Sequence, residues 1–417
     1  MWSPSGAFPA PSSSATRTAA WRSILPDSAR PLTGWRVWHP TAAIFFANGG
    51  LYGVWATQIP LAKIRLDLDP IVLSTALLML GAGAVIAMTG SGWVIQRLGT
   101  ATLIRISGLF FCALLPLIPH APNAAVLCAI VFLFGASGGC MDVAMNADAS
   151  RVEKEAGRPY MSSFHGMWSL GGFVGAGLAT LLLEWTGGSL QALIMAVVMF
   201  VLFAWGQRGL GAGHVERIAG TSQRHSLRPT FLALLIGIMA ALTFSGEGVV
   251  LDWAAIFLRE HLGADPVLAN VGYQAFAGSM ATMRFFGDAI RRHIDGVTLV
   301  RGGCLLALVG LLLGPLSGNV YVGILGYALT GIGFSNIVPV LFSAAGAMPR
   351  PEVQIAAVST MGYAGLLAAP PLLGVIAHTT SLAGIFYVAA AGTVIIAALA
   401  WTCAQGAGTT RRATEAG

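Results

Sequence analysis

Apolar stretches of about 20 residues follow one another along the chain, each long enough to cross a bilayer as a helix. Twelve are expected, near residues 40–62, 71–95, 102–120, 124–149, 160–183, 189–207, 229–257, 267–290, 297–316, 319–345, 353–377 and 381–403. Turn signals separate them, among them Arg97 to Gly99, Pro119 to Asn123, Ser317 to Asn319 and Met348 to Pro351. The runs are continuous rather than alternating, which excludes a β-barrel. Composition excludes a soluble fold. The chain is 56% hydrophobic and 10% charged, whereas soluble domains carry about 25% charged residues. Its 53 glycines and 20 prolines suit helices packed closely in lipid. The expected fold class is therefore an all-α membrane protein of twelve transmembrane helices.

Lys and Arg orient the helices. With the N-terminus inside, the inner segments hold Arg17, Arg22, Arg30, Arg36, Arg97, Arg151, Lys154, Arg158, Arg208, Arg217, Arg224, Arg228, Arg291, Arg292, Arg350, Arg411 and Arg412. The outer segments hold Lys63, Arg65 and Arg259. Both termini are thus expected in the cytoplasm. The net charge of +6 reads as membrane topology and not as nucleic-acid binding. Residues 1–38 show no apolar signal-peptide core and read as a disordered tail. The five cysteines all lie in apolar runs without metal-binding spacing, so neither a disulfide nor zinc is expected.

The polar segment near 209–228 divides the spans into bundles at 39–208 and 229–404, with a tail at 405–417. The halves echo each other at an offset of about 195 residues, as parallel six-helix repeats do when they flank a solute site. Gly135 to Gly138 answers Gly331 to Gly333, Gly172 answers Gly365, and the turn with Arg97 answers the turn with Arg291 and Arg292.

Two such bundles joined by a basic loop resemble the major facilitator superfamily. That family marks the loop after helix 2 with roughly Gly-x-x-x-Asp-Arg-x-Gly. Here the stretch runs Gly92-Trp-Val-Ile-Gln96-Arg97-Leu-Gly99, with Gln96 at the Asp position. A second copy, Arg284-Phe-Phe-Gly287-Asp288-Ala-Ile-Arg291-Arg292, keeps the Asp. Stretches such as Phe45 to Pro60, Met141 to Asn146, Met161 to Gly166, Gly246 to Trp253 and Gly333 to Pro339 are similar to the bacterial YbjJ-like and MosC-like inner-membrane branch. The resemblance implies a monomeric multi-pass carrier of the bacterial inner membrane, working on a small-molecule substrate and driven by a proton gradient rather than a cofactor. A looser likeness to fucose-type permeases implies a sugar or polyol. In the family the marked loops, here Gly92, Arg97, Gly99, Arg284, Gly287, Asp288 and Arg291, lock helix ends during gating.

An ionised side chain at mid-membrane costs roughly 2.5–3.5 kcal/mol, so each one asks for a reason. Helix 4 carries Asp142 and Asn146, four apart and on one face. Helix 7 carries Glu247, flanked by Gly246 and Gly248 that thin the helix, and Asp252. Glu247 reads either as a proton-coupling or substrate group or as a structural hydrogen bond. Asp142 reads as a proton site or a gate pairing with Arg97 or a loop Arg. Asp252 and His165 carry the same choice between proton relay and helix-end hydrogen bond. Asn48, Tyr52 and Trp55 share a stripe of helix 1, an amide with aromatic faces that suits a hydroxylated ring or plain helix packing. Asn146, Asn270, Gln274, Asn336 and Tyr363 are further substrate-binding candidates. Arg284 and Asp288 are four apart, and Asp288 is expected to cap or pair locally near the membrane surface, as conformational control and not substrate contact.

Neither of the two lysines follows a P-loop pattern, and no GxSxG or HExxH is present, so neither an enzyme nor an ATP-driven pump is expected. The alternatives are efflux of amphipathic compounds, which 14 Met and 20 Phe would suit, and a non-transporting sensor or scaffold, toward which Gln96 leans.

Overall fold

The computed structural model describes residues 35–68, 70–210, 228–264 and 266–404. The expected tails and linker therefore lie largely outside the described residues. Twelve helices are present: α1 (Trp35–Arg65), α2 (Pro70–Leu98), α3 (Thr100–Leu114, extended by a 3-10 turn to His120) and α4 (Ala124–Ala156). A long helical run, Met161–Gly206, is broken at Gly187, whose φ of 71° suits only glycine, into α5 (161–186) and α6 (188–206). The second half holds α7 (Phe231–Ile256), α8 (Pro266–Arg291), α9 (Gly296–Ser317), α10 (Val320–Gly346), α11 (Pro351–Thr379) and α12 (Leu382–Leu399). Among the described residues ten of these are long and apolar enough to cross a membrane. The other two, α1 and α8, carry more polar side chains, and α8 meets the first half along α5.

Side-chain caps start several helices. Asn123 accepts from Val126 N–H at 3.0 Å to open α4, Thr230 from Ala233 at 3.2 Å to open α7, and Ser381 from Gly384 at 3.1 Å to open α12. Such caps satisfy backbone donors that would otherwise be orphaned at a helix start.

The halves have the same internal plan. α1 packs along α5 and α2 along α4; in the second half α7 packs along α11 and α8 along α10. Between the halves α2 runs beside α11 and α8 beside α5, the pairing that a parallel two-fold repeat demands. The twelve-helix, two-bundle fold is as expected, although α1 begins at Trp35, ahead of the expected boundary at 39. Because the helices alternate in direction, one end of the bundle carries the start of α1 and the end of α12. This is the terminal end of the bundle.

Candidate functional site

Pro339 lies in the sixth turn of α10. It has no N–H to give the Ser335 carbonyl, and α10 is interrupted there, between Phe334 and Ile337. Arg284 of α8 takes up that carbonyl through Nε at 3.3 Å. The same guanidinium donates through Nη1 to Ser169 Oγ of α5, in the other half, at 2.7 Å. Its Nη2 lies 3.9 Å from Glu247 Oε1 of α7. Arg284 is thus buried at the meeting point of four helices and both halves. The local partner of Asp288 is Arg291, 3.7 Å away, and not Arg284, whose guanidinium is drawn to tertiary partners that outweigh a single i,i+4 pair.

Glu247 Oε1 is buried with no hydrogen bond among the described residues. Its ion pair with Arg284 is loose at 3.9 Å, and the side chain keeps 21% of its exposure. The space expected beside Gly246 and Gly248 is occupied. The Phe334 ring packs onto Gly246 and Leu366 onto Gly248. Asp252, further along α7, is exposed and is not brought to this group.

A second polar group faces it from the first half. Asn146 Nδ2 donates to the Asp142 carbonyl at 2.9 Å and lies 3.4 Å from Asp142 Oδ1. His165 Nε2 meets Asn146 Oδ1 at 3.2 Å, the roles depending on the tautomer. Ser359 of α11 donates across the interface to Asp142 Oδ2 at 3.4 Å. The expected partner for Asp142, Arg97 or a loop Arg, is corrected to this amide and hydroxyl. Arg97 instead lies over the Trp93 ring at 3.9 Å. Ser169, which accepts from Arg284, donates to the His165 carbonyl at 3.1 Å. One polar chain therefore runs Glu247, Arg284, Ser169, His165, Asn146, Asp142, Ser359, and crosses between the halves twice.

On α1, Asn48 accepts from Trp168 Nε1 at 2.8 Å, and its Nδ2 is buried without a partner among the described residues. Tyr52 and Trp55 pack with Phe111 and Phe134, ring centroids 5.0–6.1 Å apart. Tyr363 meets Phe244 edge-on at 5.7 Å. Tyr52 and Tyr363 both lie within electrostatic reach of Asp142. Asn336 bonds Ser335 Oγ at 2.9 Å, and Gln274 is exposed. The side chain of Asn270 lies outside the described residues.

Toward the terminal end the halves are closed at two seams. At the α5–α8 seam, Asp288 accepts from the N–H groups of Ser162 and Ser163 at 3.0 and 2.7 Å. Gly287 has no space for a side chain between Asn336 and Ser162. Glu153 accepts from the N–H groups of Tyr160 and Met161 at 2.8 and 2.9 Å, from Arg291 at 3.1 Å and from Ser343 at 2.6 Å. Both carboxylates face the N-terminus of α5, where the helix dipole favours negative charge. At the α2–α11 seam, Gln96 donates to Glu352 at 2.9 Å, and Gly92 lies against the backbone of Glu352 and Val353. Gly99, with φ 82°, turns the chain from α2 into α3.

Sequence reasoning singled out neither Glu153, Ser343, Ser359, Ser169 nor Trp168. For Glu153 a signal exists: an acid a few residues before a helix start is placed to meet that helix's free N–H groups.

The family model of the Major Facilitator Superfamily matches residues 44–354. An uncharacterized MFS-type transporter of Yersinia pestis is 35% identical over 353 residues, 83% of this chain and 90% of that protein. Membrane protein MosC of Rhizobium meliloti is 29% identical over 360 residues, 85% of this chain and 87% of that protein. The crystal structure of FucP in its outward conformation shares the fold, with a TM-score of 0.74 and 13% identity over 87% of this chain and 97% of that one. The chain is a multi-pass membrane protein and belongs to the major facilitator superfamily of secondary transporters.

Proposed function

We propose that the chain carries a small hydroxylated solute, of the sugar or polyol class, by proton-coupled alternating access. The polar chain from Glu247 to Ser359 carries this reading, because it places a loosely paired carboxylate at each half and threads them across the interface that must rearrange. A buried carboxylate is costly when ionised in lipid, so gaining or losing a proton changes which packing of the halves is favoured. When Glu247 takes a proton, Arg284 loses its ionic partner and keeps only Ser169 and the Ser335 carbonyl. The contact between the halves then responds to the state of Glu247. Amides and aromatic faces near the path, Asn48, Trp168, Tyr52 and Tyr363, suit hydroxyls and C–H faces of a ring. A fucose:proton symporter shares the fold at 14% identity, with a TM-score of 0.67.

The excess of Arg and Lys at the terminal end supports a cytoplasmic location, in a bacterial cell, for that end and for both termini. On that reading the seams seal the cytoplasmic side, which supports an outward-facing or occluded state. Gln96, the feature that leans toward a sensor, still engages Glu352 across the interface.

The test begins with a thermal-shift screen of sugars and polyols on the purified chain, since a bound solute stabilises the folded state. Uptake of the hit is then followed in proteoliposomes with an imposed pH gradient. Glu247→Gln is expected to abolish gradient-driven accumulation while the protein inserts and binds the solute. Accumulation at the wild-type level in that variant rules out the coupling role.

A further inference from the structure

Beside the α5–α8 seam a crevice of about 330 Å³ opens at the terminal end. Trp38, Arg158, Tyr160 and Ser163 line it from the first half, Asp288 and Arg292 from the second. The nearby acids are already engaged. Asp288 accepts two backbone N–H groups of α5, and Glu153 holds Arg291. Two arginines remain. Arg158 uses only Nε, donating to the Tyr160 hydroxyl at 2.6 Å, and its guanidinium lies 4.5 Å from the Tyr160 ring centre. Its Nη groups stay available among the described residues. Arg292 is exposed and makes no hydrogen bond or ion pair among the described residues. The crevice thus presents two guanidinium groups from opposite halves, with an indole and a phenol between them.

The pseudo-equivalent position, beside the α2–α11 seam, holds a crevice of about 290 Å³. Its walls include Trp93, Leu234, Val353, Ala356 and Met361, and no charged residue. The fold therefore provides a crevice at both seams, and the side chains make only one of them cationic.

We propose that the cationic crevice binds a phosphate-bearing anion, supplied by the headgroup of an acidic phospholipid, and that this ligand clasps the two halves together at the terminal end. Guanidinium groups match phosphate oxygens with paired hydrogen bonds. Trp and Tyr sit well at the level of lipid headgroups, where one edge meets acyl chain and the other water. Basic pockets between membrane helices on the cytoplasmic side take anionic headgroups. Binding rests on the crevice alone. The clasping rests on the alternating-access reading above.

The full chain in mild detergent is titrated with phosphatidylglycerol, phosphatidylcholine or glycerol 3-phosphate, and the thermal midpoint is read. Phosphatidylglycerol is expected to raise the midpoint saturably, and phosphatidylcholine to do so far less. Arg158→Gln and Arg292→Gln are each expected to raise the half-saturating lipid concentration about fivefold. Arg292→Lys keeps the charge and most of the effect. Arg301→Gln, an exposed arginine on α9 outside the crevice, leaves the titration unchanged. An equal response of wild type and both Gln variants to phosphatidylglycerol overturns the site. An equal midpoint shift from glycerol 3-phosphate, lost in the same variants, keeps the phosphate site but overturns the lipid as its source. Arginine-dependent lipid binding in a chain that shows no solute flux retains the site while the transport reading falls.

Discussion

The α5–α8 and α2–α11 seams occupy equivalent places in the two-fold repeat, yet different chemistry closes them. At the first, a carboxylate on α8, Asp288, reaches across to two N–H groups of α5, and Glu153 and Arg291 tie the corner together. At the second, the residue on α2 is the neutral Gln96, and the acid stands on α11 itself as Glu352, in that helix's first turn. In both, a negative charge sits at the start of the helix being gripped, where the dipole favours it. What differs is which half supplies it. A carboxylate crossing the interface makes charge-assisted bonds that are lost on opening. An acid on the gripped helix keeps its dipole interaction in either state, while the amide contact breaks. The α5–α8 seam is accordingly the stronger latch.

Asp288→Ala breaks that latch. It removes two charge-assisted hydrogen bonds from a buried site, about 3 kcal/mol, or two orders of magnitude in the opening equilibrium. Ser150→Cys reports it, because Ser150 is 3% exposed and packs against Gly346 across the interface. Its thiol-labelling rate is expected to rise steeply with Asp288→Ala. Gly287→Ala forces a methyl group into the space filled by Asn336 and Ser162, at roughly 2 kcal/mol of overpacking, and raises the labelling less. Gln96→Asp sharpens the comparison. It sets two carboxylates face to face at the weaker seam, a repulsion of about 1 kcal/mol, and adding Glu352→Gln is expected to reverse the effect.

Asp295→Ala is the control outside both seams. Asp295 caps α9, accepting from Thr298 N–H at 3.0 Å and from its hydroxyl at 2.7 Å, and these bonds hold its carboxyl below the usual range. Its contribution is present above the unfolded value of about 3.9 and is lost as pH falls through the lowered one. Its loss lowers the thermal midpoint by the equivalent of roughly 1 kcal/mol, with labelling of Ser150→Cys unchanged.

The twelve spans were legible because apolar length is a local property that lipid enforces residue by residue. The halves were legible because equivalent turns recur along the chain. Side-chain partners were not, since spacing shows only neighbours on one helix. Arg284 looked tied to Asp288 by an i,i+4 interval, and only the break that Pro339 makes in α10 explains why it turns to the Ser335 carbonyl and Ser169. Asp142 was identifiable as a costly charge, but Ser359 lies 217 positions away. Spacing does not pick out Glu153, because its role depends on which helix start folds back onto it. Gln96 read as a defect in a family marker; Glu352, on a helix far along the sequence, supplies the acid from the other side.

The central claim is that the chain works by opening these seams at the terminal end while the opposite end closes. Spin labels at Lys154 and His293, exposed positions of the two halves at that end, measure it directly. One dominant short separation is expected in the wild-type protein and a second, longer population in Asp288→Ala, with transported solute changing the ratio. A single separation, identical in both proteins with and without solute, would contradict it.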